Sequence, residues 1–557
     1  MPGRLDAIGS AVTTLGAVAR TGLLRPTRPD RIVRMVRSAS RWGPTAATGV
    51  AMSAARYPDR RAVVDAEGEL DWATLDRRTN AIAKGLAGRG VRMGSTVGVL
   101  CRNDRGFVEG LVAAAKAGAD AVLLNTGFAA PQLAEVAARE GVEHIVHDAS
   151  FERLLDDAGL GDPSRRTVAW TGGDGAPASS GAVPTFDDLV ASEDDDPPPA
   201  PSSPGAVTIL SSGTTGTPKG ARRSVAKDTS RRGAGSQLGV LTRVPLRSGD
   251  PTLVSAPLFH TWGLSGLLTA LVLSSPVVLR ERFEAEEALA TIERHRVGTL
   301  VAVPVMLQRI LELPDDVRAR YDTSSLRVVF LSGSALPGGL ATRWMDAFGD
   351  NLYNLYGSTE VAAVALAGPA DLRAAPDTAG PVLPGIDVRL LDADGHEVAP
   401  GSPGRIFVRS GMLFEGYTGG GSKEVVDGFM STGDIGRIDD AGRLRIEGRE
   451  DDMIISGGEN VVPMEVEDVL LRHHDVADAA VVGVPDESFG QRLVAHVVPA
   501  AGAAPEPAAL REWVRENLAN YKVPREVVLT DRLPRNPTGK VLRRQLSGEA
   551  VDVPVED

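Results

Sequence analysis

The most distinctive stretch of this sequence is a loop rich in glycine and hydroxyl side chains that ends in a lysine. Residues 207–220 read VTILSSGTTGTPKG, so a β-branched run leads into the loop and Lys219 closes it. Glycines let backbone N–H groups approach phosphate oxygens closely, and the lysine adds positive charge. The hydroxyl donors are Ser211, Ser212, Thr214, Thr215 and Thr217. The pattern predicts a loop that holds phosphate groups.

Two other interpretations of this loop fit the residues less well. A flexible linker of Gly, Ser and Thr would not follow a buried strand or contain a Pro-Lys pair. In the P-loop of nucleotide-binding enzymes, Gly precedes the lysine, and Ser or Thr follows it to bind Mg²⁺. Here Pro218 precedes Lys219 and Gly220 follows it.

Length and composition exclude several classes of protein. A chain of 557 residues predicts more than one domain, and a hydrophobic fraction of 43% excludes a disordered chain. The net charge of -13 argues against nucleic-acid binding. The single cysteine, Cys101, excludes an internal disulfide framework, which fits a cytoplasmic protein.

The segments that must position the loop alternate between strand and helix patterns. Strands are predicted at 96–100, 121–124 and 143–147, with helices at 74–89, 106–117 and 131–140. This alternation predicts an α/β protein with mostly parallel sheets. Short strands at 387–391, 405–409 and 443–447 predict a small β unit. After Gly448 the mixed pattern resumes, which places a domain boundary near 449–452.

Taken together, the motifs resemble the adenylate-forming superfamily, and especially its AMP-forming fatty acyl-CoA synthetases. Besides the loop, the matching segments are PLFH (257–260), SGSA (332–335), YGSTE (356–360), STGD (431–434), GREDD (448–452), SGGEN (456–460) and NPTGK (536–540). The resemblance implies a large N-terminal domain of two α/β subdomains plus a small β subdomain, and a smaller mobile C-terminal α+β lid. The implied divisions are an extension at 1–42, an adenylation domain at 43–449, a lid at 450–547 and an acidic tail at 548–557.

The resemblance also implies a role for each motif. The reaction joins a carboxylate to ATP as an acyl-adenylate and then passes the acyl group to coenzyme A, so ATP, Mg²⁺ and CoA are the expected cofactors. Catalytic roles fall on Thr215, Glu360, Lys540 and His260, with Glu360 and Thr215 at the metal. Nucleotide and CoA contacts are implied for Ser211, Ser212, Gly213, Thr214, Thr215, Gly216, Thr217, Lys219, Ser332, Gly333, Ser334, Asn354, Leu355, Tyr356, Gly357, Ser358, Thr359, Asp434, Arg449, Ser456, Gly457, Gly458 and Lys540. Asp451 matches the hinge position.

The acid is predicted from the residues around the PLFH motif. Peptide-synthetase adenylation domains carry Asp where this chain has His260, so an amino acid is disfavoured. His260, Trp262, Gly263 and Gly266 are the predicted pocket residues. The two glycines could leave room for an alkyl chain, or they could serve the core packing of a helix. Together with the basic amphipathic N-terminus described below, they make a medium- to long-chain fatty acid the main expectation. The alternatives are a fatty-acyl-AMP ligase that serves a carrier protein, an aryl or short-chain acyl-CoA ligase, and a catalytically inactive binding protein.

A few residues depart from the pattern that the family commonly shows. Arg405 stands where Glu is common, and Glu450 stands beside the hinge where a basic or apolar residue is common. The 332–335 segment reads SGSA rather than GGA. These departures bear on substrate and rate more than on the reaction.

The first 42 residues differ from the rest in charge. Eight arginines against two aspartates give this segment +6, which leaves -19 for the remainder. On a helix over 31–42, four arginines share one arc, and Ile32, Met35, Val36, Ala39 and Trp42 fall on the opposite one. Two interpretations stay open: a helix on the inner face of the plasma membrane, or a helix docked on the protein's own acidic body.

Overall fold

The computed structural model of the chain describes residues 16, 19–23, 25–172, 183–211, 219–223, 239–414, 416–418, 420–450, 452–456, 459–486, 490–537 and 539–548. They fall into two compact units, one of residues 1–331 with 411–422 and one of 332–410 with 423–557. No helix in the described part of the chain is long and apolar enough to cross a bilayer. The predicted domain boundaries remain a prediction.

The first unit contains two sheets of mostly parallel strands. Their strands are β1 (Arg61–Asp65), β2 (Gly68–Asp71), β3 (Thr96–Leu100), β4 (Asp120–Leu123), β5 (His144–Asp148), β6 (Arg166–Trp170), β7 (Val207–Ser211), β8 (Lys219–Arg223), β9 (Thr252–Val254), β10 (Val277–Val278), β11 (Thr299–Ala302) and β12 (Val328–Leu331). One sheet has the order β6-β5-β3-β4-β7-β8, and the other runs β12-β11-β9-β10-β1-β2 within this unit. Only β8 and β2 pair antiparallel with their neighbours in these two orders. The predicted parallel α/β organisation is confirmed.

Helices connect these strands. They are α1 (Pro29–Trp42), α2 (Ala46–Arg56), α3 (Trp72–Gly88), α4 (Arg105–Ala117), α5 (Ala130–Arg139), α6 (Glu152–Asp157), α7 (Phe186–Ser192), α8 (Thr261–Val272), α9 (Ala285–His295), α10 (Pro304–Glu312) and α11 (Asp315–Arg318). α4 shows why such segments are helical: the Asp104 carboxylate accepts the Phe107 N–H at the start, and Gly118 takes a left-handed φ of 70° at the end. The predicted helices at 74–89, 106–117 and 131–140 are confirmed within two residues.

The second unit is mostly antiparallel. Its strands are β13 (Leu352–Ser358), β14 (Ala362–Ala367), β15 (Thr378–Pro381), β16 (Asp387–Leu391), β17 (Gly404–Arg409), β18 (Val425–Val426), β19 (Phe429–Ile438), β20 (Arg443–Arg449), β21 (Ile454–Ser456), β22 (Glu459–Val461), β23 (Val476–Asp486), β24 (Gly490–Pro499) and β25 (Glu526–Leu529). Its helices are α12 (Gly338–Phe348), α13 (Pro369–Ala374), α14 (Pro463–Leu470), α15 (Pro507–Asn517) and α16 (Arg543–Leu546). The predicted small β unit is the sheet β15-β20-β19-β17-β16.

The C-terminal part of this unit has its own core. A sheet of order β22-β21-β24-β23, with β25 parallel to β24, packs with α14 and α15 around buried aliphatic side chains. Leu470, Val481, Leu510 and Val514 are fully buried there. This arrangement is the mixed strand and helix unit that the sequence predicts after Gly448.

Helix α1 lies against the protein's own body by one side. Trp42 is buried, and the Arg31 guanidinium donates to the Arg56 carbonyl at 2.6 Å. Arg41 donates to the Pro197 carbonyl at 3.1 Å. The residues of the predicted apolar arc differ in exposure, because Trp42 is buried against the body whereas Ile32 is exposed to solvent.

Helix α8 carries the predicted pocket glycines, and their surroundings favour core packing over open space. A Cβ on Gly263 would overlap the Pro257 carbonyl, and a Cβ on Gly266 would lie 2.9 Å from Val301 Cγ1. Both glycines therefore let the helix approach its neighbours closely. A Cβ does not fit at either position without a shift of its neighbours.

Replacement of Gly263 by Ala should destabilise the protein, because the new methyl group cannot fit without a shift of α8. We expect a loss of about 2–3 kcal/mol in the free energy of unfolding, followed by urea denaturation. Gly88→Ala is the matched control, since a Cβ there meets nothing within 4 Å. Equal stability of the two variants would contradict the close packing of α8.

Candidate active site

The predicted site residues are divided between the two units. The first unit holds Ser211 (its backbone, in β7), Lys219, His260, Trp262, Gly263 and Gly266. The second holds Ser332, Gly333, Ser334, Asn354, Leu355, Tyr356, Gly357, Ser358, Thr359, Glu360, Asp434, Arg449, Ser456 and Lys540. Outside the described residues lie Ser212, Gly213, Thr214, Thr215, Gly216, Thr217, Asp451, Gly457 and Gly458.

Strands β7 and β8 fix the two ends of the predicted phosphate loop. They pair antiparallel, and Ser211 lies opposite Lys219 in the register. Lys219 is exposed, and its Nζ lies 5.6 Å from the centroid of the Tyr417 ring. The next residue, Gly220, has no space for a side chain, since a Cβ would reach the Thr418 hydroxyl and lie 2.8 Å from Thr208 Cγ2. Lys219 is thus presented from a tightly packed strand end.

The YGSTE motif forms the tip of the β13–β14 hairpin. Ser358 pairs with Ala362, so Thr359 and Glu360 occupy the connecting turn. The Ser358 hydroxyl accepts the Glu360 N–H at 3.2 Å and so holds the turn. Ala362 has a left-handed φ of 62°. Gly357 is required because a Cβ there would overlap the Ala362 carbonyl.

The SGSA segment and the first residues of β13 precede the YGSTE motif in the sequence. Ser332 and Asn354 are buried, whereas Gly333 is exposed with a left-handed φ of 94°. Asn354 pairs with Ala367 in the hairpin register. These positions are compatible with the predicted adenine contacts, which remain a prediction.

Asp434 is the centre of a polar cluster in the second unit. It lies in β19 directly opposite Arg449 of β20, and Arg449 Nη1 lies 3.4 Å from Asp434 Oδ1. The Tyr356 hydroxyl donates to Asp434 Oδ2 at 2.6 Å. The Asp434 N–H donates to the Thr432 hydroxyl at 3.1 Å. Three motifs that are distant in sequence therefore meet at one carboxylate.

Burial changes the ionisation of this cluster. Desolvation raises the pKa of Asp434, and Arg449, the Tyr356 hydroxyl and Lys540 act in the opposite direction. Desolvation, together with the Asp434 charge, raises the pKa of Tyr356, so its hydroxyl stays a donor. Desolvation also lowers the pKa of Lys540, with Arg449 adding to the effect.

Lys540 is held by a short loop that the motif itself closes. The Lys540 N–H donates to Asn536 Oδ1 at 2.9 Å, and the Asn536 N–H donates to the Lys540 carbonyl at the same distance. The Gly539 N–H donates to the Asn536 carbonyl at 2.8 Å. Sequence reasoning gave Asn536 no role, although an Asn four residues before the lysine is a signal for such a loop.

Two of the departures from the family pattern form an ion pair with each other. Arg405 Nε lies 3.0 Å from Glu450 Oε1, and the same guanidinium also contacts Glu424. The Glu450 N–H donates to the Gly433 carbonyl at 2.9 Å, next to Asp434. The unusual Arg and the unusual Glu therefore compensate each other and fix the end of β20.

The donor set fits a nucleotide with a divalent cation. A buried carboxylate such as Asp434 can accept hydrogen bonds from two ribose hydroxyls. Glu360 offers the hard oxygen ligand that Mg²⁺ prefers, and Lys219 offers positive charge to phosphate oxygens. The assignment of each contact remains a proposal.

Comparisons with known proteins agree with this chemistry. Residues 50–418 match the AMP-binding enzyme family, and residues 465–540 match the AMP-binding enzyme C-terminal domain. A 3-[(3aS,4S,7aS)-7a-methyl-1,5-dioxo-octahydro-1H-inden-4-yl]propanoyl:CoA ligase from Rhodococcus jostii (strain RHA1) is 33% identical over 91% of this chain and 99% of its own. Feruloyl-CoA synthase from an Amycolatopsis species is 34% identical over 88% of this chain and 96% of its own.

Solved structures agree as well. An anthranilate CoA ligase in complex with anthranoyl-AMP superposes with a TM-score of 0.79 at 26% identity, over 90% of this chain and 96% of that chain. The predicted fold class, a large N-terminal α/β domain with a small C-terminal domain, is confirmed. The predicted ATP, Mg²⁺ and CoA are also confirmed.

Removal of the Tyr356 hydroxyl should weaken ATP binding in a pH-dependent way. In Tyr356→Phe, Asp434 loses a hydrogen-bond donor to its ionised form, so the pKa of Asp434 rises further. As the pH is lowered, ATP binding should therefore begin to weaken at a higher pH than in the wild type. We expect KM for ATP to rise about tenfold. KM measured across the acidic pH range checks this.

Tyr353→Phe is the control for that variant, since it removes a hydroxyl from the same strand beside Gly368. An acidic limb that stays in place in Tyr356→Phe would show that the hydroxyl does not act through Asp434.

Lys540→Ala should separate the two half-reactions. Adenylation joins two anions and needs the ammonium group, so acid-dependent pyrophosphate release should fall by about a hundredfold or more. Thioester formation from supplied acyl-adenylate should persist. The control is Lys522→Ala, which removes a lysine paired with Glu465 at 2.6 Å. Equal loss of both half-reactions in Lys540→Ala would contradict this role.

Proposed function

Because the chain belongs to the AMP-binding enzyme family, we propose that it is an AMP-forming acid–thiol ligase that activates a ring-bearing carboxylic acid and transfers it to CoA. The ligase class follows from the family and its relatives. The ring-bearing acid is the proposal. The observation that carries it is an aromatic wall formed by the rings of Trp262 and Phe330.

Trp262 is held rigidly by two contacts within the first unit. Its ring meets the Phe330 ring edge to face, with centroids 4.7 Å apart and an interplanar angle of 83°. Its indole N–H donates to the Ala302 carbonyl at 2.9 Å. A fixed aromatic surface stabilises a planar or cyclic ligand by stacking without losing side-chain freedom.

His260 adds a neutral polar group next to this wall. Burial lowers its pKa to about 4, so the ring is uncharged near neutral pH. Its Nε2 is buried and has no hydrogen-bond partner among the described residues. Phe259 packs against it with centroids 4.4 Å apart. These features support a pocket wall that can hydrogen-bond a substrate, rather than an acid–base catalyst that cycles its charge.

The relatives support a ring-bearing acid over the fatty acid that was the main expectation. Two of the relatives are a feruloyl-CoA synthase and a ligase for a propanoyl group on a fused ring, and one structural neighbour was solved in complex with anthranoyl-AMP. The packed glycines of α8 weaken one of the arguments for an alkyl chain. The aryl alternative stated from the sequence is therefore the preferred one.

In this proposal the side chains supply positioning and charge. ATP with Mg²⁺ supplies the phosphoryl electrophile and a pyrophosphate leaving group, and CoA supplies the thiol that displaces AMP. Asp434 would orient the ribose, and Glu360 would hold the cation. Lys540 offsets the repulsion between the carboxylate and the α-phosphate, which lowers the barrier to adenylation.

The test is product analysis by mass spectrometry. The purified chain is incubated with ATP, Mg²⁺, CoA and a panel of aryl, arylpropenoic, bicyclic alkanoic and unbranched fatty acids. We expect acyl-CoA products with the highest kcat/KM for a ring-bearing acid. A Lys540→Ala sample serves as the control for background hydrolysis.

Other outcomes would contradict the proposal in distinct ways. A clear preference for unbranched fatty acids would restore the original expectation. Acyl-adenylate without thioester would favour delivery to a carrier protein. No product from any acid would favour a binding protein.

A further inference from the structure

Helix α1 exposes a group of large aliphatic side chains that the described part of the chain leaves in contact with solvent. Ile32, Val33 and Val36 are 48%, 49% and 63% exposed. They lie within five residues of one another, and at 100° per residue they occupy one sector of the helix. Exposure of a contiguous aliphatic patch to water is unfavourable, so this sector is a candidate contact surface.

Arginines border the same sector. Arg34 and Arg37 follow it around the helix and are exposed, and Arg25 and Arg28 are exposed just before the helix. Asp30 is the one acidic residue between positions 25 and 42 of the sequence, and Arg28 and Arg34 pair with it at 3.3 and 3.0 Å. The exposed face is therefore positively charged on a chain whose net charge is -13.

The opposite side of the helix is already used to hold it in place. Trp42 is 4% exposed, and the bonds from Arg31 and Arg41 to backbone carbonyls fix both ends of the contact. The two interpretations that the sequence left open are therefore not exclusive. The helix docks on its own body by one arc and presents another arc outward.

We propose that the sector of Ile32, Val33 and Val36, flanked by Arg34 and Arg37, binds the surface of an anionic lipid bilayer. The aliphatic groups would enter the boundary between headgroups and acyl chains, and the guanidinium groups would contact lipid phosphates. A symmetric contact through this surface with a second copy would bring Arg34 and Arg37 of both copies together, and the repulsion between these like charges disfavours it. The proposal does not depend on which acid the enzyme activates.

The experiment is vesicle flotation of the full chain. Vesicles of phosphatidylcholine mixed with phosphatidylglycerol are compared with vesicles of phosphatidylcholine alone. The test variant is Ile32→Gln with Val33→Gln and Val36→Gln, because Gln keeps helix propensity. The matched control is Val425→Gln with Leu529→Gln, which changes exposed aliphatic residues of the second unit.

We expect the wild type and the control to float with anionic vesicles only, and binding to weaken as salt increases. The test variant should bind about tenfold less while keeping its circular dichroism spectrum, thermal midpoint and ligase activity in solution. A charge variant, Arg34→Glu with Arg37→Glu, should also lose binding.

Two results would overturn the proposal. The first is no flotation of the wild type, or equal flotation of the wild type and the test variant. The second is a wild-type dimer in light scattering that the test variant converts to a monomer, which would assign the surface to a second copy. Neither result depends on finding the acid substrate.

Discussion

Asp434 is a buried carboxylate that must stay charged, and this requirement constrains where neighbouring segments of the second unit can lie. Desolvation raises the pKa of Asp434, which opposes the ionised form that a ribose acceptor needs. The Tyr356 hydroxyl and the Arg449 guanidinium offset that cost from two other segments of the chain. The position of the YGSTE hairpin is thereby tied to the β19–β20 pair, because a misplaced Tyr356 would leave the charge unsupported. Adenine, ribose and cation contacts would then share one framework.

Close packing, rather than charge, constrains helix α8, which carries predicted pocket residues. Helix α8 lies so near Pro257 and Val301 that only glycine fits at its two contact points. Trp262, on the same helix, is fixed by Phe330 and by the Ala302 carbonyl. The outcome is a stiff wall, and a stiff aromatic wall suits a ring better than a flexible alkyl chain, whose ordering costs entropy. The proposed preference for a ring-bearing acid therefore rests on side-chain packing rather than on a catalytic motif.

Departures from a family pattern acquire meaning only in three dimensions. Arg405 and Glu450 each replace a residue type that is common in the family, so each position taken alone suggests that an interaction is lost. In the structure they form one ion pair, so the charge removed at one position is replaced at the other. The same holds for α1, where a single amphipathic pattern serves two purposes. Trp42 joins the core of the first unit, whereas Val36 stays in contact with solvent.

The sequence by itself determined the reaction class, the order of the elements and the cofactors. Strand and helix periods, and motifs such as YGSTE and NPTGK, are local patterns that chemistry constrains directly. The sequence did not determine that Tyr356 supports Asp434, that Asn536 closes the Lys540 loop, or that Gly263 marks contact rather than space. The sequence does not show whether a glycine lies beside a cavity or beside a carbonyl. It also does not show that the Tyr356 hydroxyl bonds to a residue 78 positions away. Only the tertiary structure decides those cases, because they depend on which distant backbone approaches the residue.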